Sequence, residues 1–111
     1  MQIRKTYYNV KPELLHNELT DFITKQGVTL DENRFETLSV PTNSSSFISR
    51  STLTFVDSAS KECIRAHLVG MAIGETKLMI DTDDGLFPAE KTKAIMEDID
   101  FIFSSYEVKP K

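Results

Sequence analysis

Apolar side chains near the end of the chain recur every three or four residues, the spacing of one face of an α-helix. Within residues 88–106 they are Thr92, Ile95, Met96, Ile99, Ile102, Phe103 and Tyr106. This pattern predicts a helix about 28 Å long, enough to cross a small domain. Pro88 suits the first turn, where its missing N–H is not needed, and Glu90 faces the positive end of the helix dipole.

The first half of the chain predicts one strand and a second helix. Residues 2–10 carry the branched and aromatic side chains that favour a strand. Residues 12–26 have a helical pattern that ends at Gly27, a residue that readily takes the left-handed conformation of a helix stop. Three segments follow, which we interpret as a connection (residues 28–34), a short strand (residues 35–40) and a polar loop (residues 42–46).

Three later segments, residues 47–56, 62–69 and 75–82, alternate between apolar and polar side chains. Such alternation predicts strands, and the short turns between them predict an antiparallel meander. One apolar and one polar face are expected of a sheet that is covered on one side only. The predicted fold class is therefore α+β: an antiparallel sheet of four to five strands, two helices on one face, and the order β-α-β-β-β-β-α, in a single domain of residues 1–111.

This order of elements, with its long C-terminal helix, resembles that of helix-grip (START-like) domains. In that family a curved antiparallel sheet wraps the helix, so the resemblance implies a cleft between sheet and helix. A small hydrophobic ligand could occupy such a cleft, whereas side chains packed at ordinary density would fill it. The predicted lining consists of Phe47, Leu53, Phe55, Leu68, Leu78, Ile95, Ile99 and Phe103.

Composition narrows the class of protein. The chain has 111 residues, of which 40% are hydrophobic and 27% charged, as in an ordinary globular domain. The single Cys63 cannot form an intramolecular disulfide, which favours a reducing compartment, and we expect it to be half-buried and inert. No segment has the pattern of a signal peptide or a membrane span, so we expect a cytoplasmic protein. The net charge of −4, without a basic stripe, disfavours nucleic-acid binding.

The polar face of the meander carries the first set of candidate binding residues. We expect His67 to share this face with Arg50, Arg65 and Lys77 from the same and neighbouring strands. Nearby carboxylates and guanidinium groups could make the imidazole a general acid or base. The alternative is a solvated face with weak cross-strand ion pairs. The serines and threonines of residues 42–54 have no base identifiable in the sequence, which disfavours an enzyme.

Two other groups contain side chains of the types that bind metal ions. Asp81, Asp83 and Asp84 precede Gly85, but their spacing misses that of a calcium-binding loop by one residue, so we interpret them as a strand-to-helix turn. His16 lies on the first helix without a second ligand at helical spacing, which predicts a solvated or rim histidine. We therefore predict no metal site and no cofactor.

Phe101 forms a second candidate surface. It lies outside the apolar stripe of the last helix, so we expect it to contact the tail (residues 107–111) or a second chain. The sequence thus predicts a small, non-enzymatic binding domain that self-associates as a homodimer or binds a protein partner through the charged sheet face or Phe101. The alternative is a helix-grip-type small-molecule-binding or enzymatic domain with a site near His67.

Overall fold

One antiparallel five-stranded sheet and two helices make up the computed structural model, in the predicted order β-α-β-β-β-β-α. The structure describes residues 1–40, 43–70 and 74–108, and for residues 39–40 and 43–47 it describes the backbone alone. The elements are β1 (Gln2–Tyr8), α1 (Pro12–Thr24), β2 (Thr29–Val40), β3 (Asn43–Val56), β4 (Glu62–Gly70), β5 (Glu75–Thr82) and α2 (Ala89–Phe103), followed by a 3₁₀ turn (Ser104–Tyr106).

The strands lie side by side in the order β1-β5-β4-β3-β2. Strands β3 to β5 form the predicted meander, and β2 extends it by one strand, because each strand from β2 to β5 pairs with the next one along the chain. The first strand instead pairs with the last, from Gln2 opposite Asp81 to Tyr8 opposite Glu75. Beside β1 lies the tail, where Glu107 forms an antiparallel bridge with Tyr7 and the Val108 N–H donates to the Thr6 carbonyl at 2.8 Å.

Both helices bury their apolar residues in the same core as the inner face of the sheet. Strands β3 to β5 contribute alternate residues to it, as their sequence pattern predicts. Burying this surface away from water is the main favourable term in folding. The helices contribute Leu15, Leu19, Ile23, Ile95, Ile99 and Phe103, and the three strands contribute Leu53, Phe55, Ile64, Ala66, Leu68, Leu78 and Ile80.

The prediction of a connection at residues 28–34 and of a polar loop at residues 42–46 was wrong over most of both segments. Strand β2 begins at Thr29 rather than residue 35, and β3 begins at Asn43, while residue 42 lies outside the described part of the chain. Polar residues enter these strands because the two strands pair almost end to end, from Thr29 opposite Val56 to Val40 opposite Asn43. Hydrogen bonding in this long hairpin overrides the weak strand propensity of its polar residues.

The last helix is shorter than predicted. Pro88 takes the position just before the first turn, and α2 ends at Phe103. Ile102, within α2, is 42% exposed, and Tyr106, in the 3₁₀ turn after it, is 48% exposed, although the sequence pattern places both in the buried stripe. Neither helix in the described part of the chain is long and apolar enough to cross a bilayer.

Candidate functional site

The outer face of the sheet, opposite the helices, is the best candidate for a binding site. Two rows of side chains cross it from β2 to β5, because residues directly opposite in an antiparallel sheet project to the same face. The first row is Arg34, Thr52, His67 and Met79, and the second is Glu36, Arg50, Val69 and Lys77. All of these residues except Met79 and Lys77 line a groove of about 400 Å³, which we call the sheet groove.

The cationic groups of the sheet groove are only loosely held. An Arg50 guanidinium nitrogen lies 4.0 Å from Glu36, and an Arg34 guanidinium nitrogen lies 3.5 Å from Glu32. Both arginine side chains are at least 60% exposed. Exposed ion pairs of this kind contribute about 0–1 kcal/mol, so a ligand can displace them at little cost.

His67 is half-buried in the groove, but its surroundings differ from those expected of a general acid or base. Its Nδ1 lies 3.3 Å from the Thr52 hydroxyl. Directly opposite it on β5 is Met79, whereas Asp81 lies opposite Arg65 and accepts a hydrogen bond from Gln2. The described residues thus include no carboxylate hydrogen-bonded to this imidazole.

The other predicted binding residues are distributed over three places. Lys77 lines an adjoining depression of about 380 Å³, which shares Val69 with the sheet groove and also contains Ile48. Arg65 lines neither depression. Its guanidinium donates to both oxygens of Glu62 at 2.9 and 3.2 Å, and this interaction raises the pKa of Arg65. Phe101 is on α2, in the other layer, where it is 90% exposed and not covered by the tail residues Glu107 and Val108.

His16 is buried, so the prediction of a solvated or rim histidine was wrong. Its side chain is 6% exposed, its Nδ1 hydrogen-bonds with the Ser51 hydroxyl, and its ring packs edge-on against Phe35 at 5.2 Å. A serine beside an imidazole is the pairing that nucleophilic enzymes use. Ser51, however, is only 4% exposed, so the pair joins α1 to the sheet rather than forming a reactive site.

This buried pair predicts a loss of stability in acid. Burial lowers the pKa of His16 from its usual 6.5, and the Asn33 side chain opposes this only in part. The unfolded chain therefore binds a proton more readily, so the contribution of neutral His16 is present above about pH 6.5 and is lost as the pH falls below it. We expect the Tm to fall more steeply between pH 7.5 and pH 5 in the wild type than in His16→Gln.

Thermal melts followed by circular dichroism at several pH values would measure this difference. Ser51→Ala serves as the control, because it removes the hydrogen bond of His16 but keeps the titrating imidazole. We expect Ser51→Ala to have a lower Tm and the wild-type pH dependence. Equal pH dependence of the wild type and His16→Gln would contradict the prediction.

The remaining polar candidates do not converge on one site. Asp83 accepts from the Gly85 N–H at 2.9 Å, and Asp84 pairs with the terminal amine of Met1 at 3.0 Å. Within the described ranges, no group of three or more His, Cys, Asp or Glu residues could hold a metal ion. Cys63 is more deeply buried than expected, at 2% exposure, and burial raises the pKa of its thiol.

The residues predicted to line a cleft under the sheet are core residues. Phe47 has a side chain outside the description, and the other seven are at most 2% exposed. They belong to one contiguous apolar cluster. The two adjoining depressions described above lie on the other face of the sheet.

Comparison with known proteins adds no relative. The chain matches no protein-family model, no curated protein and no solved structure. The resemblance to helix-grip domains therefore stays a prediction, and function has to be inferred from the outer face of the sheet.

Proposed function

We propose that this protein is a cytoplasmic, non-enzymatic binding domain that recognises an acidic segment of a protein partner in the sheet groove. The observation that carries this proposal is the placement of Arg34, Arg50 and His67 around Val69 in a groove of about 400 Å³. Val69 is 45% exposed there, so a partner would cover an apolar side chain and pair with the guanidinium groups of Arg34 and Arg50 at once.

The size of the surface favours an extended segment of a protein. Val69 joins the sheet groove to the depression that contains Ile48 and Lys77, so the two form one surface. Strands lie about 4.8 Å apart, and the distance from β2 to β5 is therefore about 14 Å. About four residues of an extended chain span that length.

The charge of this joined surface favours an acidic segment of the partner. The joined surface has four basic side chains, Arg34, Arg50, His67 and Lys77, and two acidic ones, Glu36 and Glu75. This local excess of basic groups occurs in a chain whose net charge is −4. Carboxylates on the partner would form charge-assisted hydrogen bonds with the guanidinium groups, since a planar guanidinium binds a carboxylate through two parallel bonds.

A displayed library of random dodecapeptides tests the proposal even though the partner is unidentified. Selection on the wild-type protein is expected to enrich peptides in which Asp or Glu adjoins an apolar residue. Selected peptides should bind Arg50→Glu at least about tenfold more weakly, because the substitution reverses a charge within the groove. Isothermal titration calorimetry with synthetic peptides would measure the change.

Arg4→Glu is the matched control, since Arg4 is an exposed arginine on β1 that lines neither depression. It makes the same change in net charge and should leave peptide affinity unchanged. Absence of enrichment, or equal affinity for the wild type and Arg50→Glu, would overturn the proposal. Equal weakening by Arg4→Glu and Arg50→Glu would do the same, because it would show a general charge effect.

A small-molecule site near His67 is the second candidate function. Its support is the groove volume of about 400 Å³, which falls within the range of about 300–1,000 Å³ typical of ligand sites. Native mass spectrometry of protein purified without added ligand separates the two functions. A reproducible adduct that is lost in His67→Ala favours the small molecule, and a bare chain favours the peptide.

Phe101 stays a predicted contact for a protein partner or a second copy. Its 90% exposure contrasts with that of Ile95, Ile99 and Phe103, the apolar residues of α2 that face the core and are at most 1% exposed. A single exposed aromatic residue does not by itself define an interface. The variant Phe101→Glu distinguishes a contact at this surface from one at the edge of β2.

A further inference from the structure

We propose that two copies of this chain pair through the edges of β2 and join their sheets into one continuous ten-stranded sheet. Strand β2 has 12 residues and is the last strand of its sheet. Among the residues that the structure describes, only β3 pairs with it. The opposite edge differs, because the tail occupies part of β1.

The geometry of a two-fold axis limits the registers that such a pair can adopt. An axis perpendicular to the sheet runs the two β2 strands antiparallel and keeps each face continuous. Residues that face each other must then lie on the same face, so their numbers are both even or both odd. This rule holds from Glu32 to Ser39, because the β2–β3 ladder is irregular between Leu30 and Glu32 and between Ser39 and Val40. Within this stretch, two registers of at least five residues place Arg34 opposite a charged residue of the second copy: residues 32–36, centred on Arg34, or residues 32–38, centred on Phe35.

Charge decides between these two registers. The register centred on Arg34 places the two copies of Arg34 against each other and each Glu32 against Glu36 of the second copy. Like charges directly opposite are destabilising in a sheet. The register centred on Phe35 instead places each Arg34 opposite Glu36 of the second copy, which gives two attractive pairs related by symmetry. The sequence of β2 is therefore self-complementary in one of the two registers.

The side chains required for this register are available. Arg34 and Glu36 are exposed, and their ion pairs within the chain are long: 3.5 Å from Arg34 to Glu32 and 4.0 Å from Glu36 to Arg50. Phe35 is half-buried where it packs on His16, so the facing copy of Phe35 would cover apolar surface that remains exposed. Charged side chains on an edge strand also discourage pairing with unrelated strands.

Charge reversal and rescue test the proposal. Sedimentation velocity of the full chain from about 1 to 300 µM is expected to show a dimer. Arg34→Glu makes two Glu–Glu pairs and Glu36→Arg makes two Arg–Arg pairs, so each should weaken the dimer at least about tenfold. The double variant Arg34→Glu/Glu36→Arg exchanges the two charges and should restore the dimer. Circular dichroism would show that each variant keeps its fold.

Arg4→Glu and Phe101→Glu are the controls, and neither should change the dimer. A monomer throughout the concentration range, single variants without effect, or a double variant that stays monomeric would overturn the proposal. Loss of the dimer in Phe101→Glu would also overturn it and would place the interface on α2. No peptide is present in this measurement, so its outcome is separate from that of the peptide-binding test.

Discussion

Replacing Gly70 with alanine is expected to lower the free energy of unfolding by about 2–3 kcal/mol. Gly70 lies opposite Thr76 in the β4–β5 ladder, and an added Cβ would lie 2.7 Å from the Thr76 Cα. The backbone cannot retreat without opening the ladder. The Thr76 side chain cannot turn away freely either, since it is fully buried and its hydroxyl donates to the Val10 carbonyl at 2.9 Å.

Urea unfolding followed by circular dichroism would measure the effect of Gly70→Ala, together with a fall in Tm of about 10 °C. Gly85→Ala is the matched control. An added Cβ there meets only the Asp83 side chain, at 3.3 Å, on an exposed turn. We expect Gly85→Ala to change stability by less than about 1 kcal/mol. Equal losses in the two variants would contradict the close approach of β4 and β5.

Lys5→Met should also destabilise the protein, by about 2 kcal/mol, a value between those of exposed and buried ion pairs. The Lys5 ammonium lies 3.2 Å from a Glu107 oxygen and 3.5 Å from an Asp100 oxygen, and the Lys5 and Glu107 side chains are only 17% and 16% exposed. Burial lowers the pKa of Lys5, but the two carboxylates outweigh this and raise it overall. Its removal leaves both carboxylates without their cation.

Lys25→Met is the control for this prediction. Its partner Asp98 lies 3.4 Å away, but the Lys25 side chain is 66% exposed, so the loss should stay below about 1 kcal/mol. Adding Glu107→Gln to Lys5→Met should recover part of the lost stability, because it removes one of the two uncompensated charges. A Lys5→Met variant as stable as Lys25→Met would show that the three groups do not act as a unit.

Sequence periodicity predicted the elements whose burial is one-sided. Leu53, Phe55, Leu68 and Leu78 lie on the inner face, as their alternation predicts. A shift of any of these strands by one residue would place its apolar side chains in water. The same reasoning placed Ile95 and Ile99 under the sheet. The sequence pattern is sufficient to predict an element when one face of that element is buried and the other is exposed.

The first part of β2 was missed for a physical reason. Asp31, Glu32 and Asn33 bury little surface, so neither composition nor periodicity distinguishes them from a loop. Glu32 and Asn33 become part of the strand because they lie opposite Thr54 and Leu53 of β3, and backbone pairing does not depend on side-chain type, while Asp31 lies at an irregularity of the same ladder. Missing this part of β2 also hid Arg34 and its place in the sheet groove.

The candidate site was predictable only in part. Arg50 and His67 were expected on one face, and the structure brings both into the sheet groove. The partnership of His16 with Ser51 joins residues 35 positions apart and depends on how α1 docks on the sheet. One signal was present in the sequence: Ser51 is a polar residue on the same face of β3 as the apolar residues Leu53 and Phe55.

The pairing of the first strand with the last has a consequence for synthesis of the protein. Gln2 lies opposite Asp81, so β1 has no neighbour until some 79 further residues have left the ribosome. Helix α1 likewise has no surface to pack on when it is translated, because the strands that it packs on are translated after it. The nascent chain therefore carries two apolar segments without a core until β5 is translated, and the native fold forms only after that point.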